Sequence, residues 1–347
     1  TMNDVFLTAF SLTAFIFAIL YTRFPKSHPE PFNSHSEHRE ESKDKLREGS
    51  HAKDIDSSGP MDHQNDKKRR FLHLLLCAVF LSFAISSKWT GIYAILAVGS
   101  YIFITHLEDV LRSTTRLHLQ GVARLSRYSL LVIIPAVIYL LSYGQFWLQG
   151  HSVKQFVDLH KQIWWYQNRN DLEHSYGTTA LYCVPKGLEQ EKTWCPWILN
   201  ARGVYFSYEQ YGSPRGEAGE KAGYIYALGN PLIFWAGIIA VSFVLGKFIE
   251  VRKKEYALIL LGYFVFWVPW IFAPRLMFLY HYLPSLPFLA ISLGVSLATI
   301  YKTKFKYAAI VILLIFVATF FYFYPISSGL PIDPGSIDRY MWLLTWR

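Results

Sequence analysis

An all-α integral membrane protein, a multi-span bundle of about eight transmembrane helices, is predicted for this 347-residue chain by three observations. Apolar residues make up 52% of it and charged residues 17%, against about 25% charged in an ordinary soluble domain. Eight apolar stretches approach the roughly 17–25 residues a helix needs to cross hydrocarbon. They cover about 5–22, 71–87, 90–107, 128–144, 231–249, 256–272, 278–300 and 306–324. Lysine and arginine, finally, crowd into alternate connectors. The runs are too uniformly apolar for the alternating strands of a barrel, so helices are the spanning structure.

Taken in order, 1–22 is the first span, with Asp4 at its outer end, where a helix N-cap is the ordinary reading. Residues 23–70 are rich in Ser, His, Glu, Asp and Lys, and are expected to be a disordered cytoplasmic linker. Its histidines (His28, His35, His38, His51, His63) follow no i,i+4 pattern, so no metal site is expected. Spans two to four fill 71–144, and 145–230 is a long, aromatic-rich extracytoplasmic loop. Within it, Val153, Phe156, Val157, His160, Ile163 and Trp164 keep helical spacing, so 152–170 reads as an amphipathic helix lying in the membrane interface. Spans five to eight fill 231–324, and 325–347 is an extracytoplasmic tail.

Sidedness follows from the basic residues. Of the 34 Lys and Arg, 22 fall in 23–70, in 108–127, around Lys247–Lys254 and at Lys302, Lys304 and Lys306. That side is read as cytoplasmic. Asp4, Lys88, the 145–230 segment, the start of the seventh span and the tail therefore face outward. The formal charge of +9 belongs to this topology, and no nucleic-acid partner is expected. Three cysteines are too few for a disulfide scaffold or a multi-Cys zinc site. Cys183 and Cys195 both lie outside, where they could pair in an oxidising compartment; two unrelated thiols is an equal reading. No nucleotide-phosphate loop, zinc pattern or Ser/His/Asp arrangement is present.

Ionisable groups at span ends carry the remaining information, because charge near hydrocarbon is costly. Lys88 closes an apolar run before Trp89-Thr90-Gly91. It either snorkels to the headgroups or grips an anionic lipid phosphate. At the start of the seventh span, Arg275 offers a planar fork suited to phosphate, beside Tyr280, His281 and Tyr282. These last three point different ways around a helix start, so at most two can share a site. An aromatic belt explains the tyrosines better than it explains Arg275 and His281.

Three segments, Ser87-Lys88-Trp89-Thr90-Gly91, Ala227-Leu228-Gly229-Asn230-Pro231-Leu232-Ile233-Phe234-Trp235 and Phe278-Leu279-Tyr280-His281-Tyr282-Leu283-Pro284, together resemble the protein O-mannosyltransferases. They occur in that family's order and at matching span ends. His174-Ser175-Tyr176 and the stretch from Cys195 through Arg202 are similar to two further family stretches, with substitutions, and Trp342–Trp346 is similar to its outer tail. The resemblance implies a GT-C fold and a polyprenyl- or dolichyl-phosphate mannose donor. It also implies a Ser/Thr-bearing acceptor protein, no metal or organic cofactor, and an active extracytoplasmic face. It implies that Lys88 holds the donor phosphate with Arg275 and His281, in a cavity including Trp89, Tyr280, Tyr282, His174 and Arg202. The family's Asp-Glu pair, thought to activate the acceptor hydroxyl, has no counterpart here. Asp4 is the remaining acidic candidate, so the catalytic base is unassigned. Three front spans are expected to be missing, as in an N-terminally truncated chain, and the MIR domain is absent, as in bacterial members. A bacterial plasma membrane is the expected location, or the endoplasmic reticulum membrane in a eukaryote. The alternatives are a GT-C transferase that modifies a lipid or glycan, and a non-catalytic membrane scaffold.

Overall fold

Long apolar runs carry no internal competitor for their backbone hydrogen bonds, and in lipid those bonds must close within the segment. The computed structural model describes residues 2–23, 60–112, 128–169, 195–212, 221–272 and 278–346. In chain order its elements are α1 (Met2–Arg23), α2 (Pro60–Ser87), α3 (Gly91–Arg112), α4 (Leu130–Ser142), α5 (Gly144–Leu148), α6 (Val153–Gln167) and α7 (Cys195–Leu199). A hairpin of β1 (Val204–Tyr211) and β2 (Lys221–Ala227) follows. Then come α8 (Pro231–Val251), α9 (Lys254–Val265), α10 (Leu286–Tyr301) and α11 (Lys306–Ser328), with 3-10 turns at Val268–Phe272, Leu279–Ser285, Pro334–Tyr340 and Leu344–Trp346.

Among the described residues six helical segments are long and apolar enough to cross a membrane: Asn3–Thr22, Asn65–Ser87, Pro231–Val251, Lys254–Phe272, Leu279–Tyr301 and Lys306–Ser328. Gly91–Thr105 and Leu130–Ser142 are shorter apolar helices. The bundle core is built on small residues. Ala14 and Ala18 of α1, Ala78 and Ala84 of α2 and Ala94 and Ala97 of α3 are all fully buried. Small side chains let helix backbones approach where no water is available to drive them together. Gly262 of α9 shows the tolerance, since a Cβ there would stand 2.2 Å from the Phe288 ring of α10. The outer face of α11 is the converse, with Leu313, Leu314, Phe320 and Phe321 exposed as a lipid-facing surface requires.

Four expectations need correction. Residues 60–70, read as linker, belong to α2. The fold is not purely α, because β1 and β2 pair antiparallel from Val204↔Ala227 to Tyr211↔Lys221. The tyrosines of both segments (Tyr205, Tyr208 and Tyr211 in β1, Tyr224 and Tyr226 in β2) suit a pleated surface, a signal that the surrounding hydrophobic runs obscure. The seventh span starts as a 3-10 turn, Leu279–Ser285, where Pro284 removes a backbone donor. The tail is also shorter at its front, since α11 runs to Ser328 and ends on Gly329 in the left-handed region.

The segments between and after the long helices are tied to one another by polar staples. Asn200, buried and left-handed at φ 51°, donates to the Gly229 carbonyl at 2.7 Å and accepts from the Gly229 amide at 3.1 Å. Its own carbonyl accepts from the Trp346 indole N–H at 2.7 Å, and Thr345 donates to the Ala201 carbonyl. The tail also bridges Ile332 to Ala222 of β2. Asn230 caps α8 by accepting from the Leu232 and Ile233 amides, and donates to the Phe316 carbonyl of α11 at 3.0 Å. Pro231 at the first helical turn completes that start. The Gly229-Asn230-Pro231 run is thus a structural device.

Candidate functional site: an ion pair roofed by aromatic rings

The site begins at the turn between α2 and α3. Gly91 allows the turn, because a Cβ there would lie 2.4 Å from the Ile85 backbone nitrogen. The turn closes with Gly91 N–H donating to the Lys88 carbonyl at 2.8 Å and Ile92 N–H to the Trp89 carbonyl at 3.0 Å. In so tight a turn, the side chains of Lys88 and Trp89 diverge into different neighbourhoods.

Lys88 Nζ lies 2.5 Å from Asp4 Oδ1, with the two side chains 23% and 3% exposed. Asp4 is not an N-cap: α1 starts before it, and its carboxylate, in the first turn, is directed at the ammonium. The same ammonium sits 5.9 Å above the Tyr280 ring, within cation–π range. Tyr280 stacks on His281 at 4.6 Å, and on Phe278 at 5.3 Å. His281 in turn is flanked by Trp197 of α7, parallel at 6.0 Å, and by Trp270, edge-on at 4.9 Å. Its Nδ1 donates to the Phe278 carbonyl at 3.0 Å, which places the ring proton on that nitrogen, because a carbonyl only accepts.

A β-bulge delivers one more ring. The register shifts between Tyr205 and Ser207, leaving Phe206 without a cross-strand partner. Its ring packs 6.3 Å from Tyr280. Bulges re-aim side chains in this way. On the rest of the hairpin Tyr205 faces Tyr226 at 5.1 Å, and Tyr208 faces Tyr224 at 5.2 Å. Burial, and then the neighbouring Tyr205, raise the Tyr226 hydroxyl above the ordinary phenol range.

Trp89 leads to a second cluster. Its indole N–H donates to the Tyr139 hydroxyl of α4 at 2.7 Å, and its ring stacks on His160 of α6 at 5.5 Å.

Of the sequence-predicted site residues, Lys88, Tyr280 and His281 come together, with Asp4 as the cation's partner. Tyr282 is corrected. It is fully buried, with its hydroxyl 2.6 Å from that of Tyr263 of α9, because the 3-10 turn points it into the core. Trp89 is engaged by Tyr139 and His160. Arg202 is half-buried just before β1. Arg275, His174 and Cys183 lie outside the described residues, as does the side chain of Cys195, so the proposed disulfide and the guanidinium's place are not described. Sequence reasoning missed Trp197, Trp270 and Phe206, which come from three separate segments. No spacing rule links them.

Chemically, the cluster presents one ammonium, balanced by one buried carboxylate and walled by rings. It can receive an anionic group on Lys88 and apolar or sugar-ring surface against the aromatics.

Comparison with known proteins agrees with the resemblance. Residues 152–346 match the family described as the C-terminal four TMM region of protein-O-mannosyltransferase, and residues 60–149 match dolichyl-phosphate-mannose-protein mannosyltransferase. The chain is similar to the polyprenol-phosphate-mannose–protein mannosyltransferase of Mycobacterium tuberculosis, at 23% identity over 78% of this chain and 56% of the relative. The Corynebacterium glutamicum enzyme of the same name is 24% identical over 78% and 56%. Dolichyl-phosphate-mannose–protein mannosyltransferase 1 of Saccharomyces cerevisiae is 28% identical over 56% of this chain and 24% of its own length. Among solved structures, the S. cerevisiae protein O-mannosyltransferase Pmt1–Pmt2 complex bound to the sugar donor aligns with a TM-score of 0.40 and 23% identity, over 57% of this chain and 27% of that one. The chain spans about half the length of the bacterial relatives it matches. On the match that covers residues 152–346, this chain belongs to the protein O-mannosyltransferase family.

Proposed function

We propose that this chain carries the donor-binding part of a mannosyltransferase. In this reading mannose passes from a polyprenyl-phosphate carrier to the Ser or Thr hydroxyl of a protein at the extracytoplasmic face, with inversion at the anomeric carbon. The observation that carries the reading is the Lys88 ammonium, held by Asp4 under the Tyr280–His281 stack at one end of an apolar bundle. A lipid-linked sugar has its reactive bond at such a place, where tail meets headgroup.

The chemistry asked of the protein is charge relief. As the bond from anomeric carbon to phosphate oxygen breaks, negative charge grows on the lipid phosphate, and a preorganised cation beside it lowers the barrier. Lys88 supplies that cation, with His281 in the same cluster; Arg275, which the family resemblance assigns to the donor phosphate, lies outside the described residues. Lys88 and Arg275 serve where a metal otherwise would, so the reading invokes no cofactor. Asp4 serves to balance Lys88 in this reading, and the general base for the acceptor hydroxyl is not among the residues assigned. The α6 helix lies in the membrane interface, with exposed Val153, Val157 and Trp164 toward lipid and Lys154 and Lys161 beside them. The membrane is the bacterial plasma membrane.

Proteoliposomes containing the intact protein, given polyprenyl-phosphate mannose with radiolabelled sugar and a Ser/Thr-rich peptide, test the reading. Label in the peptide is expected. Label confined to a lipid or glycan acceptor offered in parallel would overturn it.

A further inference from the structure

The second cluster has no part in the chemistry above, yet its side chains are hydrogen-bonded to one another in a continuous chain. Tyr139 Oη accepts from Trp89 Nε1 at 2.7 Å, lies 2.7 Å from His160 Nε2, and meets Tyr143 Oη at 3.2 Å. A phenol has one hydrogen to give and two lone pairs, and these three partners use all of them. His160 Nδ1 faces the Phe156 carbonyl at 2.8 Å, so that nitrogen bears a proton and Nε2 accepts from Tyr139 when the ring is neutral. Both ring nitrogens are therefore engaged. The imidazole is also packed on Trp89 at 5.5 Å and on Phe156 at 4.1 Å.

This chain of bonds joins three separate elements. Trp89 lies in the α2–α3 turn, Tyr139 in α4, and His160 in α6, whose start is held by a capping box between Ser152 and Gln155. Trp89 is the residue after Lys88. Fixing its indole therefore fixes the turn from which the ammonium reaches toward Asp4 and Tyr280. We infer that His160 is a positioning residue. Through Tyr139 and Trp89 it locks the α2–α3 turn, so that docking of α6 sets the place of the Lys88 ammonium and hence the affinity of the site for a lipid phosphate. The inference rests on the reading of Lys88 given under Proposed function. The physical logic is that a hydrogen-bond network with every donor and acceptor matched has one low-energy arrangement, which a single ring stack does not.

The test uses the intact protein in proteoliposomes, with polyprenyl phosphate as binding probe. Three readouts are taken: probe affinity, donor KM and kcat for peptide mannosylation, and amide hydrogen exchange over residues 88–93. His160→Phe keeps the stacking on Trp89 and loses both hydrogen bonds; Tyr139→Phe removes a single oxygen and leaves packing intact. Each is expected to weaken probe binding and raise donor KM about tenfold, the equivalent of one well-placed hydrogen bond. Exchange at 88–93 should quicken while kcat holds. His160→Gln, whose amide oxygen can accept from Tyr139, should restore most of the affinity. The double variant His160→Phe with Tyr139→Phe should be no worse than either single one. Unchanged affinity and exchange, additive losses in the double variant, or a fall in kcat with KM intact would overturn the inference. If the wild type transfers no mannose to peptide but His160→Phe still weakens polyprenyl phosphate binding, the positioning role stands and the proposed reaction falls.

Discussion

Lys88 and Trp89 are neighbours in sequence and enter clusters of opposite character. On one side an ammonium faces a buried carboxylate and the faces of aromatic rings. On the other, a Trp–Tyr–His chain has its polar atoms matched within the protein. The ion pair can be rearranged by an incoming anion, because phosphate and carboxylate compete for the same ammonium. The Trp–Tyr–His network, with its hydrogen bonds closed internally, serves as a fixed mount. A turn of two residues thus joins a part suited to change with a part suited to hold still.

The contrast can be broken first at its charged end. Lys88→Ala should reduce initial rates of peptide mannosylation by about 100-fold, the scale for loss of a group that stabilises developing charge. Loss of only a few-fold would leave Lys88 with a snorkelling role. Gly91→Val attacks the turn shared by both clusters. Its added side chain must displace the Ile85 backbone, and overpacking of this kind costs about 1–3 kcal/mol or more. A lowered midpoint of thermal unfolding in detergent checks it.

Asp4→Asn removes the charge that competes for Lys88 and keeps the side-chain volume. Donor affinity should rise about fivefold, as expected when one charge-assisted competitor is removed, and donor KM measures it. Weaker binding would instead give Asp4 the role of holding the ammonium in place. The smallest effect belongs to Tyr282→Phe. It removes the hydroxyl facing Tyr263 and should cost about 1 kcal/mol in stability while transfer rates stay at wild type, in contrast with Tyr280 one turn-face away.

The spans were legible because uniform hydrophobicity over about 20 residues has few other physical outcomes. Lys88, Tyr280 and His281 were legible because polar groups at the ends of such spans are costly and because their segments resemble known ones. The meaning of Asp4 was not. An acid near a helix start reads as a cap, and its pairing with a lysine 84 positions away depends on how α1 leans against α2. Tyr282 failed for a related reason. Between Tyr280 and Tyr282 the side chain swings from the site to the core, and a 3-10 turn rather than an α-helix sets that angle. The β-hairpin escaped notice because its tyrosines also suit an interfacial belt.

By itself, then, the amino-acid sequence determined the rough extent of the long apolar helices, the alternation of basic connectors, and the family to which the segments are similar. These are local properties, set by composition within a window of residues. Tertiary structure decided which ring covers Lys88, which acid balances it, and which helix braces the turn beside it. Each of those contacts joins segments far apart in the chain, and only the packing of small residues between helices fixes the distances at which they meet.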